Sequence, residues 1–339
     1  MKKQRYFYLI FILLFSFFGL VSETQAADKG AGYTIAPVYP ENQVDQHLGY
    51  FSLKVTPGQR GQLAVLVQNL SATKTKKILV KPTAATTTDQ GQINYSPSNK
   101  KKDSSATYIL PELFSKQVTV SVAPKTSREV TFEYQIPQNG FKGQILGAIY
   151  ALDQTSSSNQ NKSQFGINSK FAMVVGVQLS QDPSKKVAPK LNLRTVKPAI
   201  QNGNATIQLN IQNSQPILFG KLSLNAQIKK LGQQQVILKR KVSNYQMAPN
   251  TNFNFNIDAP KSKLTAGNYT ALVNAKAGDY TWRLKRNFTI SDNQVHKLNQ
   301  PQTPARNGNM IWYILLAVLL LLVIIVLSFG ARTKRRRRH

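Results

Sequence analysis

The stretch 204-NATIQLNIQNS-214 decides the fold. Ala205, Ile207, Leu209 and Ile211 fall on one parity, and Thr206, Gln208, Asn210 and Gln212 on the other. Successive side chains of an extended backbone point to opposite faces, so this alternation makes a strand with one apolar and one polar side. A helix would scatter the same residues around its surface. The pattern recurs in 128-REVTFEYQIP-137, where Val130, Phe132, Tyr134 and Ile136 alternate with Thr131, Glu133 and Gln135. It recurs again in 252-NFNFNID-258, with Phe253, Phe255 and Ile257 on one side. Burial on one face only is the habit of antiparallel sheets. No amphipathic helix of three turns precedes residue 310, so the chain reads as all-β up to that point.

Working outward, residues 191–291 hold seven strand candidates: 191-LNLRTVKP-198, 205-ATIQLNIQN-213, 221-KLSLNAQIKK-230, 235-QVILKRKVSN-244, 252-NFNFNID-258, 268-NYTALVNAK-276 and 280-YTWRLKRNFTI-290. Seven short strands with turn signals at this spacing predict an immunoglobulin-like β-sandwich, by architecture only, because the cysteine pair of true immunoglobulins is absent. Residues 32–180 predict a second sandwich ahead of it, with strands in 50-YFSLKVTP-57, 61-GQLAVLVQN-69, 76-KKILVKPTAAT-86, 117-QVTVSV-122, 128-REVTFEYQIP-137, 144-QILGAIYAL-152 and 171-FAMVVGVQLS-180. The segments 144–152 and 171–180 are apolar on both faces and are expected in the middle of a sheet, with Gly147 and Gly176 marking close packing or a bulge. Two polar loops, 89-DQGQINYSPSNKKKDSSAT-107 and 153-DQTSSSNQNKSQ-164, interrupt these strands. The first carries Lys100, Lys101 and Lys102 and is expected to be solvated, with a binding role as the alternative. Residues 181–190, with Pro183 and Pro189, form the linker between the two sandwiches.

The two ends set the topology. Lys2, Lys3 and Arg5 precede a short apolar core, Tyr6 to Leu20, and small residues follow. This is a signal peptide over 1–26, with Thr24 at −3, Ala26 at −1 and cleavage before Ala27. Near the other end, residues 310–330 carry no charge and are long enough to cross ~30 Å of hydrocarbon as a helix. Trp312 and Tyr313 sit at the outer edge of this span, where amphipathic rings favour the headgroups. Arg332, Lys334, Arg335, Arg336, Arg337 and Arg338 follow in the tail 331–339 and hold it on the cytoplasmic side. The expected protein is therefore a single-pass, type I membrane protein with both sandwiches outside the cell, raised on a polar stalk over 292–309. No Leu-Pro-x-Thr-Gly motif precedes the span, so the helix itself is expected to hold the chain.

The chain has 44 lysines and arginines against 14 acids and no cysteine. An exported chain without cysteine relies on packed cores rather than disulfides. With the signal peptide and the tail set aside, the outer part keeps a net charge of +22. Such a surface attracts polyanions, and outside a bacterium these are wall polymers, acidic glycans and acidic proteins rather than nucleic acid. The catalytic inventory is thin. The only histidines are His47, His296 and His339, no cysteine nucleophile exists, and neither a P-loop nor a Gly-x-Gly-x-x-Gly motif occurs. No catalytic, metal or cofactor site is expected. In 280-YTWRLKRNFTI-290, Tyr280, Trp282, Leu284, Phe288 and Ile290 share one parity, while Thr281, Arg283, Lys285, Asn287 and Thr289 share the other. This is either an aromatic and basic ligand platform or a terminal strand with its aromatic side in the core. Arg286 breaks the apolar parity.

Several segments, in order, resemble the WxL-interacting proteins of Gram-positive bacteria: 32-GYTIAPVYPENQVDQHLGYFSLKVTPGQ-59, 144-QILGAIYALDQ-154 and 171-FAMVVGVQLS-180, then 244-NYQMAPNTNFNF-255 and 267-GNYTALVNAKAGDYTWRLKRNFTI-290, and last the span followed by 332-RTKRRRR-338. The resemblance implies a cell-surface binding protein whose first domain binds peptidoglycan and whose second binds host matrix or protein ligands. It also implies WxL-domain surface proteins as partners, alongside peptidoglycan and anionic wall polymers. A host-matrix adhesin in which wall binding is incidental is the alternative. The resemblance carries no ligand-binding residues onto this sequence.

Overall fold

The computed structural model describes residues 31–155, 171–260, 264–299 and 315–320. The chain is mostly β-strand. In the first half, β1 (Tyr33–Val38), β3 (Arg60–Asn69) and β8 (Ser127–Gln135) form one sheet in the order β1-β3-β8. Facing it, β2 (Phe51–Lys54), β4 (Lys76–Ala84), β7 (Val118–Val122), β9 (Gln144–Asp153) and β10 (Ala172–Ser180) form a second in the order β2-β10-β9-β4-β7. One core lies between them, built from Phe51, Leu63, Val65, Ile78, Phe132, Ile136, Ile149 and Val177 among others. Along β8, Val130, Phe132 and Tyr134 are buried while Glu129, Thr131 and Glu133 face solvent. β9 lies at the centre of its sheet and β10 beside it. Every pairing in this sheet is antiparallel except that of β10 with β2.

In the second half, β11 (Leu191–Gln201), β12 (Asn204–Asn213) and β15 (Thr251–Asp258) make a three-stranded sheet. It faces a four-stranded sheet in the order β14-β13-β16-β17, formed by β13 (Phe219–Lys230), β14 (Val236–Met247), β16 (Gly267–Ala277) and β17 (Tyr280–Ile290). Ile207, Leu209 and Ile211 of the quoted stretch enter a core with Leu224, Ile228, Phe253, Phe255, Tyr269 and Val273. Trp282, Leu284, Phe288 and Ile290 of β17 lean on this core. Trp282 packs against Phe219, Phe288 stacks on Tyr269, and Tyr280 stacks on Trp282. Arg286 takes a core-side position that an apolar residue would otherwise hold, because its guanidinium reaches the carbonyl oxygen of Leu193 at 3.2 Å. That carbonyl lies at the bulge of β11, between Leu193 and Thr195, where the ladder is interrupted.

Three small elements complete the described chain: the hairpin strands β5 (Thr86–Thr87) and β6 (Ile93–Asn94), the single helical turn α1 (Leu110–Leu113) and the helix α2 (Asp292–Asn299). α2 occupies the start of the segment read as a polar stalk. It is docked rather than free, with Leu298 buried and Val295 half-buried against the second core. The segment 1–26 expected to be a signal peptide, with Ala26 and Ala27, lies outside the described residues, as do Trp312, Tyr313, Arg332, Lys334, Arg335, Arg336, Arg337 and Arg338. Of the segment 310–330, residues 315–320 are described, and they are helical and exposed. Among the described residues, no helix is long and apolar enough to cross a membrane.

Gly147 of β9 shows why the centre of the five-stranded sheet admits no side chain at that point. A Cβ there would stand 2.3 Å from the carbonyl oxygen of Thr83 and 2.5 Å from Cδ2 of Leu110. The first of these is backbone and cannot swing away. Gly176, by contrast, would meet only Cβ of Tyr50 at 3.4 Å, an ordinary contact. Gly147→Ala is therefore expected to cost about 1–3 kcal/mol through overpacking, and Gly176→Ala much less, read from the midpoints of chemical denaturation.

Candidate functional site

The two halves are joined by more than their linker. Residues 86–106 leave the first domain and lie against the outer side of the β11-β12-β15 sheet. Asp103 is the centre of this contact, and its side chain is 2% exposed. Its carboxylate accepts from Gln212 Nε2 at 2.6 Å, from Asn252 Nδ2 and from Arg194 Nη1 at 3.3 Å, so that β11, β12 and β15 each supply a donor. On its own side it accepts from the backbone N–H and the hydroxyl of Ser105 at 2.9 and 2.7 Å. Asn250 Nδ2 then donates to the carbonyl oxygen of Ser105 at 3.0 Å. Burial alone would raise the Asp103 carboxyl, but the hydrogen bonds from Ser105, Asn252 and Gln212 outweigh it and hold the group below its ordinary value.

Backbone contacts extend the seam. Gln246 N–H donates to the Gly91 carbonyl at 2.7 Å, Asn254 N–H to the Asp89 carboxylate at 2.9 Å, and Ala248 N–H to the Thr87 hydroxyl at 3.1 Å. Gly91 must be glycine here, since its φ is +69° and a Cβ would lie 2.0 Å from the ring of Tyr245. At the start of β9, Gln144 N–H donates to the Pro216 carbonyl at 2.7 Å. Ala85 and Leu146 of the first domain meet Ala248 of the second in a small apolar cluster that Ile93, Tyr95 and Leu218 cover. The 89–107 loop, expected to be solvated, is thus a docking element.

This docking closes a cleft. β7 pairs with β4 only from Lys76 to Val80, so the second half of β4 has no strand beside it on that side. The cleft of about 370 Å³ occupies the gap. Thr83, Thr86, Pro97 and Tyr108 of the first domain line it, and Asn250 and Asn252 line it from the second. Lys81, Lys100, Lys101 and Lys102 stand around its mouth. Lys102 is spoken for, because its ammonium pairs with the Glu112 carboxylate at 3.0 Å and donates to the Thr107 carbonyl at 3.0 Å. Lys81, Lys100 and Lys101 make no ion pair among the described residues. The opening is therefore a small cleft of mixed polar and apolar lining, with a positive rim and amides and hydroxyls among the residues inside. Among the described residues, no three histidine, aspartate or glutamate side chains converge to hold a metal.

Of the sequence-predicted site residues, the membrane-edge and cleavage groups lie outside the described residues and none is placed at this cleft. The loop lysines are placed there, at its rim. Sequence reasoning missed Asp103, the acid directly after them. On β17 Trp282, Leu284 and Phe288 lean on the core, Tyr280 is exposed and stacked on Trp282, and Thr281, Arg283 and Lys285 face solvent.

Two all-β domains thus meet around a cleft that both of them line. Comparison with known families places the chain. Residues 33–153 match the peptidoglycan binding domain of the WxL Interacting Protein, and residues 162–300 match that family's host binding domain. The chain belongs to the WxL-interacting protein family. With these two domains it is a cell-surface binding protein. The boundary between the two matches falls between β9 and β10, although β10 pairs with β9 and β2 and shares the first core. No curated protein matches the chain. Among solved structures it is similar to the CupB2 chaperone of Pseudomonas aeruginosa, at 13% identity over 68% of this chain and 93% of that one, with a TM-score of 0.26. The class 5 fimbriae chaperone CfaA is similar at 11% identity over 76% and 98%, with a TM-score of 0.26. Red sea bream transglutaminase is similar at 11% identity and a TM-score of 0.23, and the alignment covers 77% of this chain but 31% of the enzyme.

Asp103→Ala removes the acceptor that gathers donors from three strands. It is expected to weaken the docking of the domains by about 3 kcal/mol, the lower end for a broken buried pair because Arg194 keeps access to water. Calorimetry should then show the two domains melting separately. The folded-state carboxyl is held below its unfolded value, so its contribution is present at neutral pH and is lost as pH falls through the folded value. The wild-type transition should therefore split at strongly acidic pH, while that of Asp103→Ala should already be split at pH 7.

Proposed function

We propose that the chain is a non-enzymatic scaffold of the Gram-positive cell surface, made of two immunoglobulin-like sandwiches held outside the cell by the apolar segment 310–330 as a type I anchor. The cleft at the domain junction holds peptidoglycan. The observation that carries this reading is the rim of Lys81, Lys100 and Lys101 around a cleft of mixed polar and apolar lining, inside the segment that matches a peptidoglycan-binding domain. Peptidoglycan pairs sugar hydroxyls and amides with free carboxylates. The threonines and asparagines inside the cleft suit the former, and the rim cations suit the latter. Asn250 and Asn252 come from the second domain, so an intact junction belongs to the binding site.

WxL-domain surface proteins are the protein partners in this reading. Addition of a strand at an exposed sheet edge is the physical route, since such an edge carries unpaired backbone donors and acceptors. A second reading, the host-matrix adhesin, draws its support from the match of residues 162–300 to a host binding domain.

Purified sacculi pelleted with the full-length chain test the main reading. Replacing Lys81, Lys100 and Lys101 together by serine should weaken sacculus binding by about tenfold and flatten its salt dependence. Unchanged binding by this variant would remove the cleft as the peptidoglycan site. Wall extract passed over the immobilised chain should retain a WxL-domain protein, and its absence would count against the scaffold role.

A further inference from the structure

The outer face of the β14-β13-β16-β17 sheet is used by nothing described so far. The strand registers set out its side chains as rows. One row runs Lys241, Asn225, Asn274, Arg283. The next runs Lys239, Gln227, Leu272, Lys285. Lys229 continues the face in one direction and Lys276 in the other. Two columns of cations, Lys239 with Lys241 and Arg283 with Lys285, thus flank a central strip of amides. Within a column the cations are two residues apart, about 7 Å, and three strand spacings of ~14 Å separate the columns. An open depression of about 600 Å³ lies over the strip, lined by Asn225, Lys241, Asn274, Lys276 and Arg283 together with Trp282.

The charges on this face are unopposed. Residues 191–291 hold 14 lysines and arginines and two acids, Asp258 and Asp279. Asp258 ends β15 in the other sheet, and Asp279 sits in the turn between β16 and β17. None of the face's cations makes an ion pair among the described residues. The apolar content is equally telling. Leu272 is the one apolar side chain in the two central rows, and it is half-buried. Tight protein interfaces need buried aromatic anchors, and stacking of nucleic-acid bases needs exposed rings. Here Phe288 and the half-buried Trp282 pack on the core, and the exposed ring of Tyr280, stacked on Trp282, lies at the start of β17 outside the two rows. What remains is a trough with sugar-binding amides along its bed and regularly spaced cations along both banks.

We propose that this face binds a linear sulfated glycosaminoglycan of the host matrix, laid along the strands with its sulfates on the two cation columns. The proposal rests on the reading of residues 162–300 as the host-binding half and names its ligand class. Arg283 supplies a planar fork for a sulfate, the lysines supply point charges, and Asn225, Gln227 and Asn274 take hydroxyls and ring oxygens. Chain order favours this ligand over a folded acidic protein, because a repeating polymer meets both columns at once and releases its counterions along the whole face.

The test is binding of the full-length chain to immobilised heparan sulfate across a salt series. Soluble heparan sulfate, its unsulfated precursor polymer and polyglycerol-phosphate teichoic acid serve as competitors. The variant carries Lys239→Gln, Lys241→Gln, Arg283→Gln and Lys285→Gln, all at exposed positions. A charge-matched control carries Lys116→Gln, Lys125→Gln, Arg128→Gln and Lys197→Gln, also exposed. The proposal expects about a tenfold or greater loss in the first variant, a salt slope smaller by roughly three, a much smaller loss in the control, and competition by the sulfated chain alone. Equal losses in both variants would reduce the effect to net charge and overturn it. Stronger competition by teichoic acid would assign the face to the wall and overturn the host ligand. If heparan sulfate is not bound while the chain still binds immobilised fibronectin or collagen, the proposal falls and the host-binding reading stands. If none of these is bound, both fall.

Discussion

The carboxylate of Asp103 makes one body of two domains. A buried charge is tolerable only when hydrogen bonds replace its water, and here the replacement is complete only in one docking geometry. Gln212, Asn252 and Arg194 come from three adjacent strands of the second domain, so a shift of that sheet by one residue would strip the carboxylate of its donors. The backbone contacts at Gly91 and Gln144 and the Ala85, Leu146 and Ala248 cluster add area, but they carry little directional specificity of their own. The short linker can then be permissive, because the geometry is set elsewhere. The cleft depends on the same carboxylate. Part of its lining belongs to the second domain, and without the dock Lys100 and Lys101 would stand on an undocked loop, away from Lys81 on β4.

The residues that show this arrangement were readable to very different degrees. Alternation in 204–214 and 128–137 sufficed to place β12 and β8, because each has one face in a core. The same reasoning failed for β1. In 33-YTIAPV-38 a proline interrupts the pattern, which argues against a strand unless it lies at a sheet edge, and β1 does lie at one. α2 escaped because Val295 and Leu298 are only two apolar positions on a single short face, too few for a helical period to register. The junction was illegible for a different reason. Asp103 lies 91, 109 and 149 residues from Arg194, Gln212 and Asn252, and within its own loop it looks like a solvated acid after three lysines. One trace was present: Gln212 sits on the polar parity of β12 yet is buried, which happens only when something covers that side of the sheet.

Charge has been divided between structure and surface in a way that net charge alone hides. Several of the few acids are taken up by pairing within the fold. Asp103 holds the junction, Asp153 pairs with Lys76 at 2.6 Å beneath the ring of Tyr33, and Glu112 occupies Lys102. Burial would raise the Asp153 carboxyl as well, and the hydrogen bond from Lys76 instead lowers it. Tyr33, pushed up to about 12 by burial and by the nearby Asp153, stays neutral at any pH the surface meets. Among the described residues, cations without an acidic partner remain at the cleft rim and across the β14-β13-β16-β17 sheet.

Those two regions cannot compete for one ligand, and the layering of the second domain explains why. Its two sheets face each other across a shared core, so their outer faces look in opposite directions. The β11-β12-β15 face is consumed by the dock with Asp103, and the cleft opens on that side. The four-stranded face is the one the dock leaves free. Burying the first face against the neighbouring domain therefore gives the molecule two basic surfaces with their backs to one another. A single flexible basic chain would collapse onto whichever polyanion it met first. Two surfaces fixed apart by a rigid junction can hold a wall polymer and a second ligand at the same time, which is the geometry a bridge requires.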